Sequence, residues 1–146
     1  MTSFPRISST KRTRLSPWVT ILENRVIARD GDAEEIHHAV EVADYVSVLA
    51  IASDGRIQLV RQFRQAVNRF TLEFPGGLVD AGENPEQCAV RELAEETGLQ
   101  AGKVMSLGSF LPESGRLANR MWGFVTTGAT PVSGWRASAN SAGDLP

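Results

Sequence analysis

The chain has 146 residues, 42% of them apolar, with 15 Lys and Arg against 17 Asp and Glu, a net charge of −2 and a sequence pI of about 5.7. That is enough chain for one domain with an ordinary core. It lacks the strongly basic balance of a nucleic-acid-binding domain and any run of about 18 apolar residues that would span a bilayer, so neither partner is expected.

Residues 1–17 are rich in Ser, Thr, Arg and Lys and contain no acid. No apolar stretch of an export signal follows the start, and a disordered tail is expected. Trp18-Val19-Thr20-Ile21-Leu22 opens a strand pattern. The runs Arg25 to Arg29 and Glu35 to Val42 flank Asp30-Gly31-Asp32, a turn signal, and predict a hairpin. His37 and His38 are adjacent, so on a strand they point to opposite faces and share no ligand spacing. Tyr45 to Ile51 is nearly all apolar, as in a strand deep in a sheet. Ser53-Asp54-Gly55 turns the chain, and Ile57 to Phe63 returns. Arg64 and Glu73 then flank the approach to a glycine loop. They are either solvated charges or substrate contacts, since a guanidinium matches phosphate oxygens well.

The stretch from Gly76 to Leu99 carries the chemistry. Asn84 suits an N-cap, Pro85 the first helical position, and Gln87 a capping-box return bond. Gly98 suits the left-handed residue that ends a helix, with Leu99 packing back on Ala94 in a Schellman-type stop. Between these stops Glu92, Glu95 and Glu96 stand at i, i+3 and i+4, so three carboxylates share one side, while Val90, Leu93, Ala94 and Thr97 fall opposite and face the core. Like charges at these spacings repel. A solvated acidic face is one reading, and ligation of a hard divalent cation is the other. Gly76 and Gly77 permit close backbone approach to a metal or phosphate, or form a plain turn. Cys88, the only cysteine, excludes an internal disulfide and suits a reducing compartment, the cytoplasm. It lies one turn before Glu92 and reads as a small residue on the helix surface rather than a reactive thiol.

Beyond the helix, Lys103 to Leu111 and Met121 to Thr126 read as strands, with Pro112 to Arg116 a loop. From Gly128 onward small and polar residues prevail without period, so 128–146 is expected to be an irregular tail.

Gly77, Glu83, Arg91, Glu92, Leu93, Glu95, Glu96, Gly98 and Leu99 match the box of the Nudix hydrolase family without a gap, and the chain resembles that family over residues 18–127. The resemblance is greatest to the ADP-ribose and ADP-sugar pyrophosphatases, through Gln62-Phe63-Arg64, Glu73-Phe74-Pro75-Gly76-Gly77 and Leu107-Gly108-Ser109-Phe110-Leu111-Pro112. That branch often has alanine where Gly76 stands. The resemblance implies an α+β Nudix fold, a mixed β-sheet sandwiched between helices (α/β/α), here expected to lack its C-terminal helix through a truncated or altered C-terminus. It implies hydrolysis of a nucleoside diphosphate sugar with Mg²⁺ or Mn²⁺. Glu92 and Glu96 would be the main metal ligands, Glu95 a ligand or base, and the carbonyl of Gly76 a further ligand. Arg64 and Glu73 would contact the substrate. Trp18 would either stack on adenine, often across a dimer, or serve as a core or interface aromatic. Gly77, Glu83, Arg91 and Gly98 would be structural, with Arg91 pairing with Glu95 or Glu83. A sheet face bared by a missing helix would favour a homodimer. The rival readings are another Nudix specificity, such as GDP-sugars or oxidised nucleotides, and a non-catalytic nucleotide-binding module.

Overall fold

The computed structural model describes residues 5–135, which form two compact units: residues 5–43 with 111–120, and residues 44–110 with 121–135. The first three strands form a sheet of their own.

The first unit is an antiparallel sheet of β1 (Arg6–Arg14), β2 (Thr20–Ile27) and β3 (Glu35–Glu41), in that order. The hairpin predicted around Asp30-Gly31-Asp32 is present, with Gly31 at φ 92°. The N-terminal segment departs from expectation. Most of the tail predicted to be disordered is β1, in register with β2 from Arg6↔Ile27 to Arg14↔Thr20. All nine of its side chains are exposed, so it carries no apolar alternation to read. Backbone pairing holds it, helped by polar links: Thr10 Oγ1 donates to Asn24 Oδ1 at 2.7 Å, and Arg12 pairs with Glu41 on β3. The loop at 111–120 joins this unit through Val40, whose amide donates to the Arg116 carbonyl at 2.7 Å.

The second unit holds a mixed sheet. Strand β4 (Tyr45–Ala52) runs parallel to β9 (Met121–Pro131), while β8 (Lys103–Phe110) and the short β7 (Leu99–Gln100) pair antiparallel with β9. Strands β5 (Val60–Arg64) and β6 (Arg69–Glu73) form a separate two-stranded ribbon. Residues 128–131, expected in the irregular tail, instead continue β9, because the backbone of that strand finds partners on both sides. Residues 136–146 lie outside the described residues, and with them the expectations of an irregular end and a missing closing helix. Among the described residues there is one α-helix, α1 (Pro85–Thr97).

Helix α1 starts as predicted: Asn84 Oδ1 accepts from the Glu86 amide at 2.8 Å, with Pro85 at the first position. It ends on Gly98 at φ 67°, whose amide donates to the Ala94 carbonyl. The Leu99 amide turns to Thr97 Oγ1 at 3.2 Å, so the stop is a single-bond left-handed cap rather than a Schellman motif. The buried stripe is Cys88, Ala89 and Leu93, which packs on Val46, Val48 and Ala50 of β4 with Phe124, Leu99 and Ala129. Val90, expected inward, is exposed, and Cys88, expected at the surface, is fully buried. The inward face lies about one residue from the predicted one, since small Cys88 and Ala89 let the helix approach the strand closely. Burial, then the nearby Glu83, push the Cys88 thiol up to about 12, which makes it inert.

Candidate active site

Three elements of the second unit meet at the acidic face of α1: the Gly76-Gly77 loop, the helix itself and the β5–β6 ribbon. The loop is bonded to β4, with the Val46 amide donating to the Gly77 carbonyl at 2.9 Å and the Val48 amide to the Pro75 carbonyl at 2.8 Å. Gly76 is pressed so tightly on this strand that an added Cβ would stand 2.1 Å from the Val46 oxygen. That approach explains glycine where the related branch often has alanine.

The three carboxylates are not equivalent. Glu96 Oε2 accepts from the Gly76 amide at 2.9 Å, and its Oε1 accepts from Gln62 Nε2 on β5. Burial first, and the charge of Glu92 after it, hold the Glu96 carboxyl above its ordinary range against these two bonds and the Arg64 charge. Glu92 lies under the loop, its side chain 14% exposed, where a Cβ on Gly77 would meet its Oε1 at 2.2 Å. Glu95 points outward, 60% exposed and 3.4 Å from Arg91. The amide of Gly76 thus meets the acidic face at Glu96.

Arg91 ties loop to helix. It grips Glu83 in a two-pronged pair, both bonds 2.9 Å, and reaches Glu92 Oε1 at 2.7 Å and the Leu78 carbonyl at 3.4 Å. Glu83 is held down to about 2 by that guanidinium and by the Asp80 amide, which donates to it at 3.1 Å.

Arg64 and Glu73, diagonal to one another on the β5–β6 ribbon, join by their side chains, Nε to Oε1 at 2.9 Å and Nη2 to Oε2 at 2.5 Å, with Thr71 Oγ1 also donating to Glu73. Arg64 is thereby fixed in direction, and Glu73 is held down to about 2, chiefly by the guanidinium. The pair lines a hollow of about 400 Å³ with Tyr45, Ser47, Phe74, Gly76 and Gly77. A second hollow, of about 720 Å³, is lined by Gln62, Glu92, Glu95, Glu96, Val132 and Trp135. Trp18 lies in the first unit, 68% exposed between β1 and β2.

Sequence reasoning gave no role to Gln62 or Trp135. Gln62 stands two residues before Arg64 on one strand, so period-two placement on the same face was a usable signal. Trp135 is the one large aromatic in a run of small and polar residues.

A divalent cation fits the donor set. Glu92 and Glu96 offer hard oxygens one turn apart, in a half-buried setting that already raises a carboxyl. Among the described residues no three His, Cys, Asp or Glu side chains converge as a ligand cluster. Mg²⁺ commonly uses one or two carboxylates and takes its remaining ligands from water and substrate phosphate.

These features define an α+β domain with a glycine loop braced against the carboxylates of one helix. A NUDIX domain model matches residues 42–130, more than half of the chain, and the protein belongs to the Nudix hydrolase family. It is similar to an ADP-ribose pyrophosphatase of Bacillus subtilis (strain 168), 43% identical over 70 residues, which are 48% of this chain and 38% of that protein. It is also similar to a CMP-5'-(N-acetyl-N-hydroxy-3-aminopropyl)phosphonate hydrolase of Streptomyces rubellomurinus, 31% identical over 119 residues, 82% of this chain and 57% of that protein. A solved structure described as an ADP compounds hydrolase shares the fold at a TM-score of 0.78 and 20% identity, covering 95% of this chain and 74% of that one. The chain matches well under two thirds of the length of these curated relatives. No described helix is long and apolar enough to cross a membrane.

Proposed function

We propose that this chain hydrolyses the pyrophosphate bond of a nucleoside diphosphate sugar, with ADP-ribose giving AMP and ribose 5-phosphate. The observation that carries the proposal is the loop at Gly76 and Gly77, which lines a hollow holding a fixed arginine and whose Gly76 amide bonds Glu96 of a second hollow holding three glutamates. A substrate with two bulky ends and a charged centre suits that layout. The name of the Bacillus subtilis relative supports the substrate class.

In this reading Arg64, oriented by Glu73, clamps a phosphate oxygen in ground and transition states alike. Glu92 and Glu96 would hold Mg²⁺ or Mn²⁺, with Glu95 beside them as a further ligand or a base. Such a cation would supply charge neutralisation at the phosphoryl oxygens and activation of a water. Arg91 and Glu83 keep the loop on the helix, and Gly76 donates its amide to Glu96 to fix that carboxylate. Trp18 presents an exposed indole as the family pattern expects, a homodimer is the assembly in which that pattern uses it, and a reducing compartment such as the cytoplasm suits the lone thiol.

A second reading, a different nucleotide conjugate such as a cytidylyl one, is favoured by the Streptomyces relative, whose match spans 82% of this chain. Product analysis with ADP-ribose, ADP-glucose, GDP-mannose, a cytidylyl phosphonate and oxidised dGTP, with and without Mg²⁺, separates the two. Glu96→Gln should cut metal-dependent turnover by orders of magnitude and leave the melting temperature unchanged or higher, since it removes a half-buried charge. Unaltered turnover in that variant, or none on any substrate with wild-type protein, would sink the assignment.

A further inference from the structure

Trp135 stands where the chain leaves β9. The Val132 amide donates to the Gly98 carbonyl at 2.7 Å, which fastens this segment to the end of α1. A Cβ added to Gly98 would meet the indole Cδ2 at 2.3 Å, with Cε3 and Cγ at 2.6 Å. A point beside the ring edge between Cε3 and Cγ would lie nearer to those two atoms than to Cδ2. The observed order places that added Cβ against the face of the ring. One face of the indole is therefore seated on glycine, yet 38% of the residue stays exposed. It lines the same hollow as Gln62, Glu92, Glu95 and Glu96. A flat ring, seated on glycine and partly exposed beside carboxylates suited to a cation, is an arrangement that can accept a flat ligand.

We propose that Trp135 is a specificity-determining residue of this site, the platform on which the nucleobase of the substrate stacks. The nucleoside end then lies in the hollow of Trp135 and the three glutamates, and the sugar phosphate end in the hollow of Arg64 and Glu73. This inference rests on the nucleotide reading of the site. It also makes Gly98 doubly required, once for its left-handed backbone and once as the seat of the indole.

The test is binding rather than turnover. Affinities for AMP and for ribose 5-phosphate are measured by calorimetry in Mg²⁺ for the wild type, Trp135→Phe, Trp135→Leu and Trp18→Leu, with melting temperatures as the control for folding. Leucine keeps apolar packing on Gly98 but offers no ring face, whereas phenylalanine keeps the face. Trp135→Leu should weaken AMP about ten-fold, within the range that losing one base–aromatic stack costs, leave ribose 5-phosphate unchanged, and be largely rescued by Trp135→Phe. Equal AMP affinity in the wild type and Trp135→Leu overturns the inference and leaves Trp135 a plug on the helix end. Parallel loss of both ligands does the same. Loss of AMP on Trp18→Leu alone assigns the base to Trp18 instead. A wild type that binds neither ligand overturns the nucleotide reading itself, and this inference with it.

Discussion

Gly76 and Gly77 are neighbours in one loop, yet alanine at each should give opposite results. At Gly76 the new Cβ meets Val46 O at 2.1 Å and Ser47 Cα at 3.2 Å, both backbone of β4, which cannot swing aside. Loop and strand must part by about 1.3 Å, the difference between that 2.1 Å and the 3.4 Å at which ordinary contact begins. Such a shift breaks the Val46–Gly77 and Val48–Pro75 backbone bonds. At about 1 kcal/mol for each bond, with overpacking strain of about 1–3 kcal/mol, Gly76→Ala should lose roughly 3–5 kcal/mol and about 10–15 °C in melting temperature. At Gly77 the three atoms nearest the new Cβ all belong to the Glu92 carboxylate, at 2.2–2.6 Å. That group ends a flexible side chain and can rotate away for about 1 kcal/mol. Gly77→Ala should therefore melt within about 3 °C of the wild type. Its displaced carboxylate should still lower turnover by roughly a hundred-fold, as misplacements near 1 Å do. The assays are thermal melting and Mg²⁺-dependent hydrolysis of the best substrate. Equal melting losses in the two variants would refute the distinction between backbone and side-chain collision, and wild-type turnover in Gly77→Ala would remove Glu92 from the site.

Arg64→Ala should raise KM about ten-fold, the cost of one charge-assisted contact, and leave kcat nearly unchanged; a loss confined to kcat contradicts a phosphate clamp. Thr126 is fully buried with an Oγ1 that has no partner among the described residues, so Thr126→Val should stabilise the fold by about 1 kcal/mol, and a lower melting temperature would show that the hydroxyl is satisfied. Glu83 and Glu73, both held near 2 against an ordinary 4.5, have folded pKa values below their unfolded ones. Their stabilisation is complete above about pH 4.5 and is lost as pH falls from there toward 2. Urea midpoints between pH 6 and 2.5 should fall on the acid side, less steeply for Glu83→Gln, and an unchanged slope in that variant would refute the role given to its pair with Arg91.

What the sequence determined was local. The cap at Asn84, the stop at Gly98 and the hairpin at Gly31 are dictated by residues a few positions apart, and their chemistry is the same in any surroundings. The box from Gly77 to Leu99 likewise announced its family, because its spacing places Glu92 and Glu96 on successive turns wherever the helix packs. Only the tertiary structure decided which carboxylates turn inward. Cys88 and Ala89 are small enough to bring α1 onto β4, and that contact sets the helix rotation, half-burying Glu92 and Glu96 while leaving Glu95 in solvent. Strand β1 could not be read because pairing by backbone and polar side chains leaves no apolar period. The need for glycine at position 76, and the seating of Trp135 on Gly98, depend on contacts between segments distant in the chain, with Val46 30 residues before Gly76 and Trp135 37 residues beyond Gly98. Such contacts leave no trace in local spacing, since they arise only when the sheet and helix close on one core.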